Sequence, residues 1–201
     1  MLAGAIMPVM EVDMATRGDA DAVAATFGAA RRGAMPWLPR LHSDSEDRRY
    51  FAEHVIGECG LLVVRRERRP VACLALRNDM VEHLYVQPDF QRAGIGSALL
   101  EVAKSRRPGG LRLWVFQRNH GARAVYARHG FTEVRFTDGP DNEEQEPDVF
   151  LAYLRNGLDE QRERRPRPPL PDAKRSVNAG RKVGHRRRSK SRPLEGWRRF
   201  A

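Results

Sequence analysis

The chain has 201 residues, 41% of them hydrophobic, with a mean hydropathy of −0.61 and a formal net charge of +10. The charge is divided: Met1–Leu154 carries 20 Lys+Arg against 21 Asp+Glu, whereas Arg155–Ala201 carries 16 against 5. A uniformly basic folded domain is thereby excluded, and no apolar run approaches the ~18 residues a membrane span requires.

The opening stretch MLAGAIMPVMEVDMATRGD has no basic n-region, which argues against a secretory signal; Met7, Met10 and Met14 are alternative starts. A first strand is predicted near Val9 to Ala15, where apolar and polar residues alternate. Asp19 is placed to cap a helix running to about Arg32, with Val23, Phe27 and Ala30 on one stripe. The prolines of Met35-Pro36-Trp37-Leu38-Pro39 prevent its continuation. Ser43 and Glu46 form a capping box for a second helix, to about Glu58, with Phe51 and Val55 inward.

Three strands follow, at Gly60 to Arg66, Val71 to Arg77 and about Met80 to Val86. A helix with Ile95, Leu99 and Val102 on one stripe ends before Pro108-Gly109-Gly110. Then come a strand at Leu111 to Phe116, a helix at His120 to His129, a strand at Phe131 to Thr137, a polar loop from Asp138 to Asp148, and a strand at Val149 to Leu154. This order predicts a mixed α/β sheet with a central parallel pair and flanking helices. Cys59 and Cys73 make neither a disulfide framework nor a metal cluster and read as buried reduced thiols, which points to the cytoplasm. Residues 1–156 form the expected domain. From 157 to 201 Arg, Pro, Ser and Gly dominate without periodicity, the composition of a disordered basic tail.

The chemistry is concentrated in HLYVQPDFQRAGIGSALL, His83 to Leu100. A strand ends at Val86, and Gly94-Ile95-Gly96 opens a helix whose free N–H groups and partial positive charge suit a phosphate. Gly94 and Gly96 let a pyrophosphate approach the backbone, and Arg92 adds a charge-assisted contact. Neither a P-loop ending nor the third glycine of a dinucleotide fingerprint is present, since that position holds Leu99.

The wider pattern resembles the GNAT superfamily of acetyl-CoA-dependent N-acetyltransferases. Val86-Gln87-Pro88 followed by Gln91-Arg92-Ala93-Gly94-Ile95-Gly96 matches its central signature. A second signature is matched by Asn119, Ala122, Val125, Tyr126, Gly130 and Phe131, and the resemblance covers roughly residues 9 to 154. It implies that the strands Met80–Val86 and Leu111–Phe116 splay apart around the pantetheine arm of acetyl-CoA. Backbone groups at Leu84, Tyr85 and Val86 would pair with that arm, and those of Gln91, Arg92, Ala93, Gly94, Ile95, Gly96 and Ser97 would hold the pyrophosphate. Asn119 would help to fix the cofactor, Phe131 would pack beneath the site, and Tyr126 matches the tyrosine near the departing sulfur. Ordinary phenol and thiol pKa values of ~10 and ~8.5 make full proton donation uphill by about 2 kcal/mol, which leaves a hydrogen bond to the thiolate as the lower-cost role. The alternative for Tyr126 is packing alone.

A protonated amine must lose a proton before it can attack. Glu82 is the first candidate base, because strand alternation puts it with Leu84 and Val86; the alternative is an exposed strand-end carboxylate. His83 reads as a packed or surface histidine on the opposite face. Trp114 stands where ribosomal-protein N-terminal acetyltransferases carry a catalytic glutamate, a departure from that branch. Acceptor specificity is expected from Met35 to Ser45, including Trp37 and His42, and from the loop Thr137 to Asp148. That loop carries Asp138, Asp141, Glu143, Glu144, Glu146 and Asp148; either Glu143 or Glu144 could act as base, although a solvated loop is the simpler reading for most of these charges. The expected function is transfer of an acetyl group from acetyl-CoA to a primary amine of a small molecule, peptide or protein, with no metal. Two alternatives stay open: an RNA-associated acetyltransferase whose tail gives weak, sequence-independent nucleic-acid binding, and a non-catalytic acetyl-CoA-binding module.

Overall fold

The computed structural model describes residues 10–154. The expected basic tail at 157–201 and the alternative starts at Met1 and Met7 lie outside the described residues. In chain order the elements are β1 (Val12–Met14), α1 (Ala20–Ala34), α2 (Asp44–Tyr50), a π turn (Phe51–Val55), α3 (Ile56–Glu58), β2 (Gly60–Arg66), β3 (Arg69–Arg77) and β4 (Met80–Val86). They continue with α4 (Ile95–Arg106), β5 (Leu111–Phe116), α5 (His120–Arg128), β6 (Thr132–Thr137) and β7 (Asp148–Tyr153). The strands form one sheet in the order β1-β2-β3-β4-β5-β7-β6, with β4 and β5 the parallel pair and the other neighbours antiparallel.

Helices cover both faces of this sheet, which is why Leu61, Leu62, Val63 and Val64 are all buried in succession. Leu62 and Val64 join Ile95, Leu99, Leu113 and Val149 on the α4–α5 face, while Leu61 and Val63 meet Val23, Phe27 and Phe51 on the α1–α2 face. Cys59 and Cys73 are free and buried; desolvation pushes the Cys73 thiol up to about 12. Among the described residues, no helix is long and apolar enough to cross a membrane.

Two local features depart from the simple sequence patterns. Asp19 does precede α1, but its side chain makes no cap hydrogen bond to that helix. It accepts from the Thr16 N–H and from Arg65 Nη1 at 2.6 Å instead, and the Arg65 guanidinium holds its carboxyl well below the usual range. The capping box of Ser43 and Glu46 forms as expected, and α2 then runs into the π turn, leaving Asp47, Tyr50, Phe51 and Val55 all buried.

The parallel pair positions the site. Its ladder contains the single register pair Met80↔Arg112, supported by the Arg112 N–H donating to Asp79 O at 2.8 Å. Beyond Met80 the two strands part, so β4 presents backbone groups to a slit instead of to a neighbouring strand.

Candidate active site

One side of the slit meets the N-terminus of α4. The chain leaves β4 through a 3-10 turn at Pro88–Phe90, passes Arg92 at φ +62° and enters the helix from Gly94 at φ +77°. The first bond of the helix runs from the Ala98 N–H to Gly94 O at 3.0 Å. The N–H groups of Ile95, Gly96 and Ser97 therefore have no acceptor within the helix. A Cβ at Gly94 would meet nothing within 4 Å, so the space in front of this turn is open. Converging N–H groups, open space and the Arg92 charge fit a diphosphate.

Other expected cofactor residues have defined local partners. Gln91 donates from Nε2 to Val86 O at 3.0 Å, closing the turn over the end of β4. Ser97 Oγ pairs with His129 Nε2 at 2.9 Å, linking α4 to the end of α5. The Asn119 side-chain oxygen caps α5 by accepting from the Ala122 N–H at 3.2 Å. Leu84 and Val86 lie on the α4 side of β4, packed against the core that contains Ile95 and Leu99. Tyr126 is buried, with its ring 5.5 Å from that of Phe131, and desolvation pushes its phenol well above the ordinary range.

Strand parity misplaces Glu82. The β3–β4 register shifts between Ala75 and Leu76, pairing them with His83 and Val81, so Glu82 is the extra residue of a bulge. It does not share the side of Leu84 and Val86. Its carboxylate lies 3.4 Å from Arg77 Nε and within electrostatic reach of Tyr50 and Cys59, on the α1–α2 face. His83 is buried on this face among the rings of Phe27, Tyr50, Phe51 and Tyr85, and its Nε2 is 3.3 Å from Tyr50 Oη.

His83 and Tyr85 form the floor of a cavity of about 340 Å³. Its walls come from α1 (Phe27, Arg31), the connection to α2 (Met35, Leu38, Leu41, His42), α2 itself (Asp47) and the β6–β7 loop (Glu143, Glu144). Tyr85 is buried on this face, its ring 5.0 Å from that of Phe27, and desolvation raises its phenol pKa well above the ordinary range. The cavity lies on the α1–α2 face of β4, opposite α4. His42 lines it as expected, whereas Trp37 packs against the α1–α2 core with the Arg118 guanidinium 4.9 Å from its ring centre. Trp114 is occupied by Phe150 and Arg135.

The β6–β7 loop is largely folded, not a solvated string of charges. Asn142 is buried and donates to Glu146 O at 2.7 Å and to Asp148 Oδ2 at 3.1 Å, while its own oxygen accepts from the Glu146 N–H. Asp148 is buried and also accepts from Thr137 Oγ1. Two side-chain contacts pin this loop across the cavity, the ion pair of Arg31 with Glu144 and the approach of His42 Nε2 to Glu143 Oε2 at 2.7 Å. Asp138 and Asp141 remain exposed.

Asp47 is the functional candidate that sequence reasoning missed. The signal was present, because Asp47 shares a helical face with Tyr50 and Phe51 at i+3 and i+4, an acid on an apolar stripe. It is 7% exposed, and among the described residues none donates a hydrogen bond to its carboxylate. Burial raises its pKa to about 6, against the opposing charges of His42, Arg40 and Arg31. A carboxyl raised in the folded state binds more protons than in the unfolded state, so its contribution to stability falls as pH rises from about 4 to 6. The shift alone corresponds to about 3 kcal/mol, and contact with cavity water reduces the expected effect to about 1–2 kcal/mol. Asp47→Asn should therefore be more stable than the parent at pH 8 and equal to it at pH 4, as urea titrations across this range would show. A constant difference at both ends would reject the titration.

The comparisons with known proteins agree with this geometry. A family model described as an acetyltransferase (GNAT) domain matches residues 46–133. An uncharacterized N-acetyltransferase of Methanocaldococcus jannaschii is 40% identical over 63 residues, which span 29% of this chain and 28% of that relative. Among solved structures, apo YjaB from Escherichia coli aligns with a TM-score of 0.58 and 24% identity, covering 72% of this chain and 97% of YjaB. The PaiA N-acetyltransferase of Thermoplasma acidophilum, solved in complex with coenzyme A, aligns with a TM-score of 0.58 and 15% identity, covering 73% and 99%. The split parallel pair and the glycine turn entering α4 therefore lie in a chain that has the fold of these acetyltransferases and whose residues 46–133 match the acetyltransferase (GNAT) domain, a domain whose acyl donor is acetyl-CoA.

Proposed function

We propose that the chain is an N-acetyltransferase that transfers the acetyl group of acetyl-CoA to a primary amine by direct attack in a ternary complex. The observation that carries this reading is the slit between β4 and β5, with a diphosphate-sized N–H cluster at one end and an amine-sized cavity on the opposite face. The unpaired edge of β4 at Leu84–Val86 suits an amide-bearing pantetheine chain, and the turn from Gln91 to Ser97 suits the pyrophosphate. Bound acetyl-CoA supplies the acetyl carbonyl and the thiolate leaving group. An N–H of β4 facing the slit stabilises negative charge on the carbonyl oxygen as the amine attacks.

Tyr126 Oη is the proposed donor toward the departing sulfur. Its buried phenol holds its proton tightly, which favours a hydrogen bond to the thiolate over outright transfer. Glu82 is the proposed proton acceptor. The bulge turns it to the α1–α2 side of the sheet, near Tyr50, and His83 beside it in the chain lines the cavity, which supports this reading.

Amine-dependent release of free CoA tests the reading. Tyr126→Phe should lower kcat by about 10- to 100-fold with acetyl-CoA affinity within twofold of the parent, the range for loss of one positioned proton donor. An unchanged chemical step would remove Tyr126 from catalysis. Acetyl-CoA binding without amine-dependent CoA release would instead identify a binding module.

A further inference from the structure

We propose that Asp47 is the counter-ion of the acceptor, and that the cavity takes a small primary amine carried into it as an ammonium ion on an apolar stem. This assignment rests on the acetyltransferase reading for the fate of the amine, but its binding chemistry can be tested separately. A volume of about 340 Å³ holds on the order of ten water-sized groups, which is small-molecule scale and too little for a folded protein surface. Phe27, Met35, Leu38 and Leu41 supply apolar walls for the stem.

The charges on the walls are unequal in one respect. Glu143 and Glu144, the acids most prominent in the sequence, are already engaged by His42 and Arg31, and Arg40 is engaged by Asp44. Asp47 lines the same cavity, more than nine-tenths buried, with no hydrogen bond to its carboxylate among the described residues. Glu144 Oε2 is a buried acceptor on this wall without a hydrogen-bond partner. A buried carboxylate without hydrogen-bond donors is costly unless something pairs with it. An ammonium group offers three N–H donors, which Asp47 lacks, and adds its charge to those of His42, Arg40 and Arg31. The burial that raises the Asp47 pKa to about 6 leaves it mostly ionised at pH 7 and poorly hydrated, the condition under which a cation gains most.

Phenethylamine, with phenethyl alcohol as its uncharged analogue, separates charge from shape. Calorimetric titration of the full-length protein at pH 7 should show the amine binding at least about tenfold more tightly than the alcohol, a difference of about 1.4 kcal/mol. Asp47→Asn should erase that preference while leaving affinity for the alcohol, and for acetyl-CoA, within twofold. Glu143→Gln serves as the control for general acidity and should retain the preference. Equal binding of amine and alcohol, an intact preference in Asp47→Asn, or no saturable binding of the amine would each overturn the proposal. Amine binding by a parent that does not take acetyl-CoA would keep the ammonium site and reject the acetyltransferase reading.

Discussion

Gly94→Glu should lower acetyl-CoA affinity by at least about 100-fold, or about 2.7 kcal/mol, in a protein that remains folded. At φ +77° any side chain costs on the order of 1–2 kcal/mol, equivalent to a fall of roughly 2–8 °C in Tm for a chain of this size. No steric penalty adds to this, because the Cβ projects into open space. The open space is the expected seat of the pyrophosphate, so the new carboxylate would fill it and place negative charge where a second anion must bind. Gly94→Ala separates the two effects: it should show the same loss of Tm with a much smaller loss of affinity. Calorimetric titration alongside thermal melts reads both quantities. A folded Gly94→Glu protein with parental affinity would show that the acyl donor lies elsewhere.

The second large effect is expected at Gly139, near the start of the β6–β7 loop. Its φ is +81°, and a Cβ there would lie 2.5 Å from the Glu146 carbonyl carbon and closer still to its oxygen. Both atoms are backbone, so relief requires the two ends of the loop to separate. Separation would break the Asn142 bonds to Glu146 and Asp148 and withdraw Glu143 and Glu144 from His42 and Arg31. Gly139→Ala should cost on the order of 3 kcal/mol, a Tm loss of roughly 6–12 °C, and raise KM for the amine at least about tenfold with acetyl-CoA affinity retained. Hydrogen exchange would detect the opening as lost protection at the Glu146 amide, which Asn142 holds in the parent. Parental protection and melting in this variant would contradict the closed-loop account.

Local rules carried the reading of the fold because they act over a few residues. The Ser43–Glu46 box, the apolar run of β2 and the glycine turn before α4 each specify their own geometry, and the motif spacing from Val86 to Phe131 identified the strands that part. Glu82 shows where such rules stop. Alternation predicts its side correctly only on an uninterrupted ladder, and one inserted residue opposite Ala75 and Leu76 reverses the outcome. The cavity was less legible, since its walls are joined by pairs such as Arg31 with Glu144, 113 residues apart. Nothing local to either residue encodes that meeting. The acidic loop drew attention through its composition, yet several of its acids are taken up by the fold, while the carboxylate without a hydrogen-bond donor lay inside a short helix whose charges read as ordinary surface.

The interrupted ladder between β4 and β5 also bears on how the molecule holds together. A continuous sheet spreads cooperativity through its hydrogen bonds, but here β5, β6 and β7 join β1–β4 through one register pair and the apolar contacts of α4 and the surrounding core. The C-terminal strands therefore form a natural sub-global unit of opening, with a lower free energy than the sheet to its left. A donor seated in the slit, as proposed above, would contact both units, so its binding energy would add to their coupling and grow with its concentration. On the proposed placement, the gap that admits the donor would make the donor part of the fold, tying the stability of the folded chain to the supply of its own substrate.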